Sequence, residues 1–321
     1  MKKTGLLLLL CLAMTVAATA QQADSAAGDQ ALPQGTLGTT GSFPVERVQT
    51  PTAADLYCGG FVSKEQVPNA NFVAGGLESP NTTKFARNDL VFLAGSGYQT
   101  GQQYEIVREL QDPNQYELFA GQHSMLKSMG QPYSELGRVR IVDTRGKVAV
   151  GHVEFSCEPM VPGDFAIPFV EKPAVAFHEP ERLDRFMPSN GKASGRIVLA
   201  KDFDLLLGTG SKVYMNLGAN QGIKVGDYLR AVRSYEADLR DPVDSLSFKA
   251  SATEDTQRVP PSIEGHMFTK TKGPSIRVSD FPRRAMGQIV VIHVTPTTAT
   301  GMLVFALEDI HVGDQVEVDQ Q

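Results

Sequence analysis

Six histidines, three cysteines and no tryptophan are the first residues to ask for chemistry. The histidines are His123, His152, His178, His266, His293 and His311. Zinc sites need ligands at H-x-x-x-H, H-E-x-x-H or C-x-x-C spacing, which sets two donors on one helix face or one turn. No such spacing occurs, so no metal is expected, and no cofactor motif is present. Gly208-Thr209-Gly210-Ser211-Lys212 lacks the spacing of a phosphate loop and precedes a strand pattern instead of a helix. No G-x-S-x-G nucleophile elbow is found. Beyond residue 52, three acids follow glycines, at Gly163-Asp164, Gly226-Asp227 and Gly313-Asp314. They could act as catalytic carboxylates or as turn residues.

Composition narrows the setting. With 41% hydrophobic and 21% charged residues, the 321-residue chain has the proportions of a soluble globular protein. A net charge of -6 argues against a nucleic-acid binder, which would carry a basic face. Lys2 and Lys3 precede an apolar run, Leu6 to Val16, that ends in Ala18-Thr19-Ala20. This is the pattern of a secretory signal peptide over residues 1–20. The run is too short to span a bilayer, and no transmembrane segment is expected in the mature chain. Cys11 leaves with the signal, so Cys58 and Cys157 remain, and an exported compartment permits a disulfide. A nucleophilic cysteine–histidine pair is set aside on that ground.

The chemistry has to be placed by larger elements. Residues 21–52 are rich in Gln, Ala, Gly, Thr and Ser and read as a flexible leader. Pro159, Pro162, Pro168, Pro173, Pro180 and Pro188 mark an extended connector, assigned to residues 165–193. Residues 244–280 lack period and read as a mobile loop. Between these segments runs an internal repeat. Leu136–Asp164 aligns without a gap on Met286–Asp314, with Gly137, Ala149, Gly151, Phe155, Glu158, Gly163 and Asp164 matched by Gly287, Ala299, Gly301, Phe305, Glu308, Gly313 and Asp314. Upstream, Gly97–Arg108 lies over Gly222–Arg233, and Val91-Phe92-Leu93 over Val213-Tyr214-Met215. Cys58-Gly59-Gly60-Phe61-Val62 is set against Ser194-Gly195-Arg196-Ile197-Val198.

The matched segments are short, β-branched and alternating, which predicts strands. The fold class is mostly β: two tandem small β-barrels from an internal duplication, over 53–164 and 194–318. One short helix is expected in the first repeat, from about Asn114 to Met129. Gly101, Gly163, Gly226 and Gly313 supply turn conformations, and Asp164, Asp227 and Asp314 can bond their own backbone. Gln102 stands where the second repeat has Asp227, so that position works without charge, and the turn reading is preferred. Cys58 opens the first strand of repeat one and Cys157 ends its last. Neighbouring first and last strands in a closed barrel predict a Cys58–Cys157 disulfide.

Val213-Tyr214-Met215-Asn216-Leu217-Gly218, Gly222-Ile223-Lys224-Val225-Gly226-Asp227, Gly287-Gln288-Ile289-Val290-Val291 and Val312-Gly313-Asp314 resemble the C-terminal β-barrel module of the flagellar assembly protein T family. Such modules occur in exported bacterial proteins that often also carry LysM peptidoglycan-binding segments. The resemblance covers about 194–318 and, through the repeat, extends to 58–164. It implies an envelope module that docks onto other proteins or the wall, with no catalytic residues to carry over. The chain has no LysM segment and no other flagellar feature.

The function expected is a non-enzymatic exported protein, in the periplasm or at the cell surface, that binds or scaffolds another envelope component. Tyr98, Tyr228, Arg283 and Arg284 are the candidate contact residues. The alternatives are a peptidoglycan- or polysaccharide-binding accessory protein, or an envelope hydrolase built on His152, Asp164 and a serine.

Overall fold

A computed structural model describes residues 48–77, 83–114, 116–176, 178, 184–234 and 282–319. The proposed signal peptide, most of the leader, His266 and the 244–280 loop lie outside the described residues. The first repeat runs α1 (Ala53–Tyr57), β1 (Phe61–Ser63), β2 (Phe72–Gly76), β3 (Leu90–Ala94), β4 (Gln103–Glu109), α2 (Gln122–Met129), β5 (Gln131–Arg145), β6 (Val148–Ser156) and β7 (Phe165–Pro168). The second runs β8 (Ser194–Ala200), β9 (Leu206–Leu207), β10 (Lys212–Met215), β11 (Tyr228–Arg233), β12 (Arg284–Val294), β13 (Ala299–Ala306), β14 (Ile310–His311) and β15 (Gln315–Val318).

Two closed six-stranded barrels result. The first closes in the order β2-β3-β6-β5-β4-β7 and the second in the order β8-β10-β13-β12-β11-β15. Strand for strand, the two rings are the same. Even the bulges coincide: β4–β5 slips between Ile106 and Val107, and β11–β12 slips between Ala231 and Val232. Alternation fills each barrel. Along β6, Ala149, Gly151 and Val153 face in while His152 and Glu154 face out. Val73, Leu93, Ile106, Leu136, Val139 and Met160 build the first core. Ile197, Val213, Leu229, Met286, Ile289 and Leu303 build the second.

The ring order corrects three expectations. The strand equivalent to β8 is β2, not the segment after Cys58, because Val73 and Ile197 make the same backbone bonds to Asp164 and Asp314. The first barrel also needs β7, which lies in what the sequence assigns to the connector. The helix expected from Asn114 begins only at Gln122, where Gly121 sits at its N-cap with φ 87. A second, unexpected helix is α1. Thr52 and Asp55 cap it reciprocally, the Thr52 hydroxyl accepting from Asp55 N–H and the Asp55 carboxylate accepting from Thr52 N–H.

β1 pairs with β5 outside the ring, so its other edge would be bare. The second barrel covers that edge. The Tyr214 hydroxyl donates to Gly59 O at 3.0 Å, Thr300 to Gly60 O at 2.8 Å and Thr298 to Val62 O at 2.6 Å. Gly60 has φ +69 and no space for a Cβ, which would stand 2.4 Å from the Tyr214 oxygen. Apolar packing completes the seam. Val62 and Met129 pack with Val198, Leu199 and Tyr214, and Leu56 packs with Tyr228, Val290, Ile292 and Met302. Asp55 also pairs with Lys212 at 2.5 Å; burial opposes its ionisation, but that ammonium and Thr52 hold it below the usual carboxylate range. Both barrels therefore belong to one compact unit.

The connector is not a free spacer. Val175 packs beside Tyr228, Arg185 O accepts from Ala285 N–H at 2.7 Å, and Asn190 donates to Val318 O at 2.6 Å.

Each barrel is also clasped by one arginine–aspartate pair. Arg108 donates from Nε and Nη2 to both oxygens of Asp164, each at 2.8 Å, and from Nη2 to Pro159 O at 3.0 Å. Arg233 repeats this on Asp314 at 2.8 and 2.7 Å, with Asp309 O at 3.1 Å. The second pair is buried on both sides, whereas the Arg108 side chain is 31% exposed. Leaving a buried charge unpaired costs about 3–5 kcal/mol, less where water reaches it. Asp314→Asn should therefore lower unfolding stability by about that amount in a denaturant titration, and Asp164→Asn by clearly less. Equal losses, or none for Asp314→Asn, would contradict the clasp.

Candidate functional site

The turn glycines stand as expected, with φ of 90 at Gly101, 99 at Gly163, 94 at Gly226 and 111 at Gly313. Asp227 accepts from Lys224 N–H at 2.8 Å, Asp164 from Val161 N–H at 2.6 Å and Asp314 from His311 N–H at 2.7 Å. Asp164 and Asp314 are further committed to Arg108 and Arg233. Sequence reasoning matched those arginines to each other but did not join them to the acids.

Cys58 and Cys157 form the disulfide, with a Cα–Cα separation of 5.7 Å. The reason differs from the one expected. Cys58 is the C-cap of α1, and Cys157 follows β6, so neither stands on the first or last strand of the ring. The bond ties the α1–β1 segment to the first barrel.

The candidate contact residues are occupied. Tyr98 donates to Ala94 O at 3.0 Å and packs edge-on against Tyr104. Tyr228 is buried, and its hydroxyl accepts from His178 N–H at 2.9 Å. Arg283 binds Glu317 and Met187 O, and Arg284 binds Glu308 at 2.9 Å. His152 stands on β6 opposite Leu90 and Arg140. Half-buried His293 sets its ring 5.3 Å from that of Phe61 at the seam, and desolvation pushes its pKa down. No cluster of three or more His, Cys, Asp or Glu among the described residues could hold a metal.

What the structure does gather is a pocket of about 150 Å³ on the outer face of the first barrel. β4 supplies Glu105, β5 supplies Gly137 and Arg138, and β6 supplies Phe155. α1 supplies Ala53, Ala54 and Tyr57, and Phe169 closes one side. Gly137 puts no side chain on the floor. Gly137 has φ +147, and a Cβ there would meet Phe155 O at 2.2 Å. Tyr57 and Phe169 lie 5.5 Å apart, and the Arg138 guanidinium stacks 4.8 Å over Phe169. Arg138 Nε also stands 3.3 Å from Glu154.

Glu105 is the unusual member. Strand alternation sends Tyr104 and Ile106 into the barrel and Glu105 out, where α1 and Lys172 cover it. Burial first, then the Glu135 carboxylate and a hydrogen bond to it, push Glu105 up to about 8, against the pull of Lys172. Glu135 is buried and claimed by Lys172 and by Gly60 N–H at 3.1 Å. Lys172 also donates to Leu56 O at 2.8 Å. Only Glu105 of the two acids fronts the pocket. With its one proton held in the hydrogen bond to Glu135, it presents an uncharged carboxyl between apolar walls. The signal was visible as one repeat position holding Glu105 in the first copy and Arg230 in the second.

Neither a family model nor a curated protein matches the chain. Among the described residues, no helix is long and apolar enough to cross a membrane.

A group protonated in the folded state well above its unfolded pKa of about 4.3 destabilises the fold as pH rises between the two values. Unfolding stability should therefore decline from about pH 5 to pH 8. Glu105→Gln should flatten that decline and be the more stable protein at pH 8. A slope unchanged in Glu105→Gln would place the raised carboxyl elsewhere.

Proposed function

We propose that this chain is an exported bacterial envelope protein that works by binding another envelope component, not by catalysis. The pocket beside α1 carries the reading. It is a preformed concave site with aromatic walls and few polar groups, the usual form of a binding site. Its one reactive-looking acid has no free partner group beside it, since Glu135 is spent on Lys172 and Gly60. The disulfide is compatible with an oxidising compartment, and the residues 1–20 pattern supplies the route there. The turn motifs that resemble the flagellar assembly protein T module support an envelope setting.

A photo-crosslinking residue in place of Ala54, introduced into the full chain in cells, tests this reading. The expected result is an adduct with an exported protein, on a chain that begins at Gln21. An adduct with glycan strands would favour the peptidoglycan-binding alternative. No adduct, or adducts with cytosolic proteins alone, would overturn the proposal.

A further inference from the structure

The pocket's counterpart in the second barrel shows what such a place accepts. By ring order, Glu105, Gly137, Arg138, Phe155 and Phe169 correspond to Arg230, Gly287, Gln288, Phe305 and Asp319. The match extends to the backbone, since Phe169 N–H bonds Gln103 O and Asp319 N–H bonds Tyr228 O. In the second barrel this place is filled. Gln288 donates to Asp319 at 2.9 Å, and the Arg230 side chain is fully buried. Met187, from the strap before β8, lays its thioether against the Arg230 guanidinium. The strap turns at Arg185-Phe186, where Met187 N–H donates to Asp184 O at 3.3 Å, and it is held by Arg185 O on Ala285 N–H and by Arg283 on Met187 O at 3.3 and 3.4 Å.

In the first barrel the equivalent position is covered by α1, whose small residues Ala53 and Ala54 leave space where the second barrel has a long side chain. A cavity of about 150 Å³ is the size that takes a benzene-sized apolar group. A methionine side chain is of that scale. The neutral carboxyl of Glu105, its one proton held in the hydrogen bond to Glu135, removes the charge that would repel an apolar tip.

We infer that the pocket of the first barrel binds a long, unbranched apolar side chain of methionine type, presented from a turn of a partner polypeptide, as Met187 is presented to the second barrel. This inference rests on the binding reading above and names its ligand class.

The probe is the strap's own tetrapeptide, acetyl-Arg-Phe-Met-Pro-amide, titrated into the intact oxidised protein and followed by the methyl signals of Ala53 and Ala54. The expected result is saturable shifts. They should weaken at least tenfold when the peptide methionine is replaced by aspartate. They should also be lost in Ala54→Trp, which fills the pocket from an exposed helix position. An unchanged circular dichroism spectrum and melting temperature show that Ala54→Trp still folds. No shifts with the methionine peptide, equal shifts with the aspartate peptide, or shifts retained in folded Ala54→Trp would overturn the inference. If the Ala54 crosslink still captures an exported protein while the peptide fails, the ligand class is wrong and the binding reading stands. If both fail, both fall.

Discussion

Three hydroxyls hold the molecule together as one body. Tyr214, Thr298 and Thr300 of the second barrel donate to the carbonyls of Gly59, Val62 and Gly60. Val62 lies on the short edge strand β1, and Gly59 and Gly60 lead into it, an edge that would otherwise template pairing with another chain. A buried carbonyl without a donor costs about 1–3 kcal/mol, so each hydroxyl secures an otherwise unfavourable approach of the two barrels. The rest follows from that seam. Leu56 and Val62 can be buried there because the backbone beside them is satisfied. The disulfide then fixes the same segment to β6, so the α1–β1 wedge is covalently part of one barrel and hydrogen-bonded to the other.

The wedge also explains how two copies of one ring come to differ. Inside, the barrels share strand order, bulges and an arginine–aspartate clasp. Outside, each face over the bulge is covered by the segment that precedes its ring. In the second copy that segment is a strap carrying Met187 onto Arg230. In the first it is α1, with small side chains over Glu105. The covering segments differ, and so do the outward ring positions beneath them, such as Glu105 against Arg230 and Arg138 against Gln288, which changes what the outer face can bind.

The barrels were legible because glycines that cannot change recur at fixed places. A Cβ on Gly137 or Gly287 would strike Phe155 O or Phe305 O, at 2.2 and 2.4 Å, so both copies keep glycine and the alignment finds them. The cysteine pair was legible as a pair, but its placement was not, since β2 departs so far from β8 that the segment after Cys58 looked the better match. The pocket was hidden for a different reason. It is built by α1, β4, β5, β6 and Phe169, whose proximity depends on tertiary packing, and no spacing in the chain encodes it. Tyr228 and Arg283 looked like surface contacts because aromatic and basic residues near loops usually are; here the connector folds back and covers them.

The account stands on the disulfide-pinned wedge uniting the two barrels. Thermal or denaturant unfolding of the intact chain, followed with and without reductant, tests it most directly. The account predicts a single cooperative transition when oxidised. Reduction of a bond joining residues 99 apart should lower the stability by up to about 4–5 kcal/mol and separate the unfolding of the barrels. Two independent transitions in the oxidised protein, or a profile that reduction leaves unchanged, would contradict it.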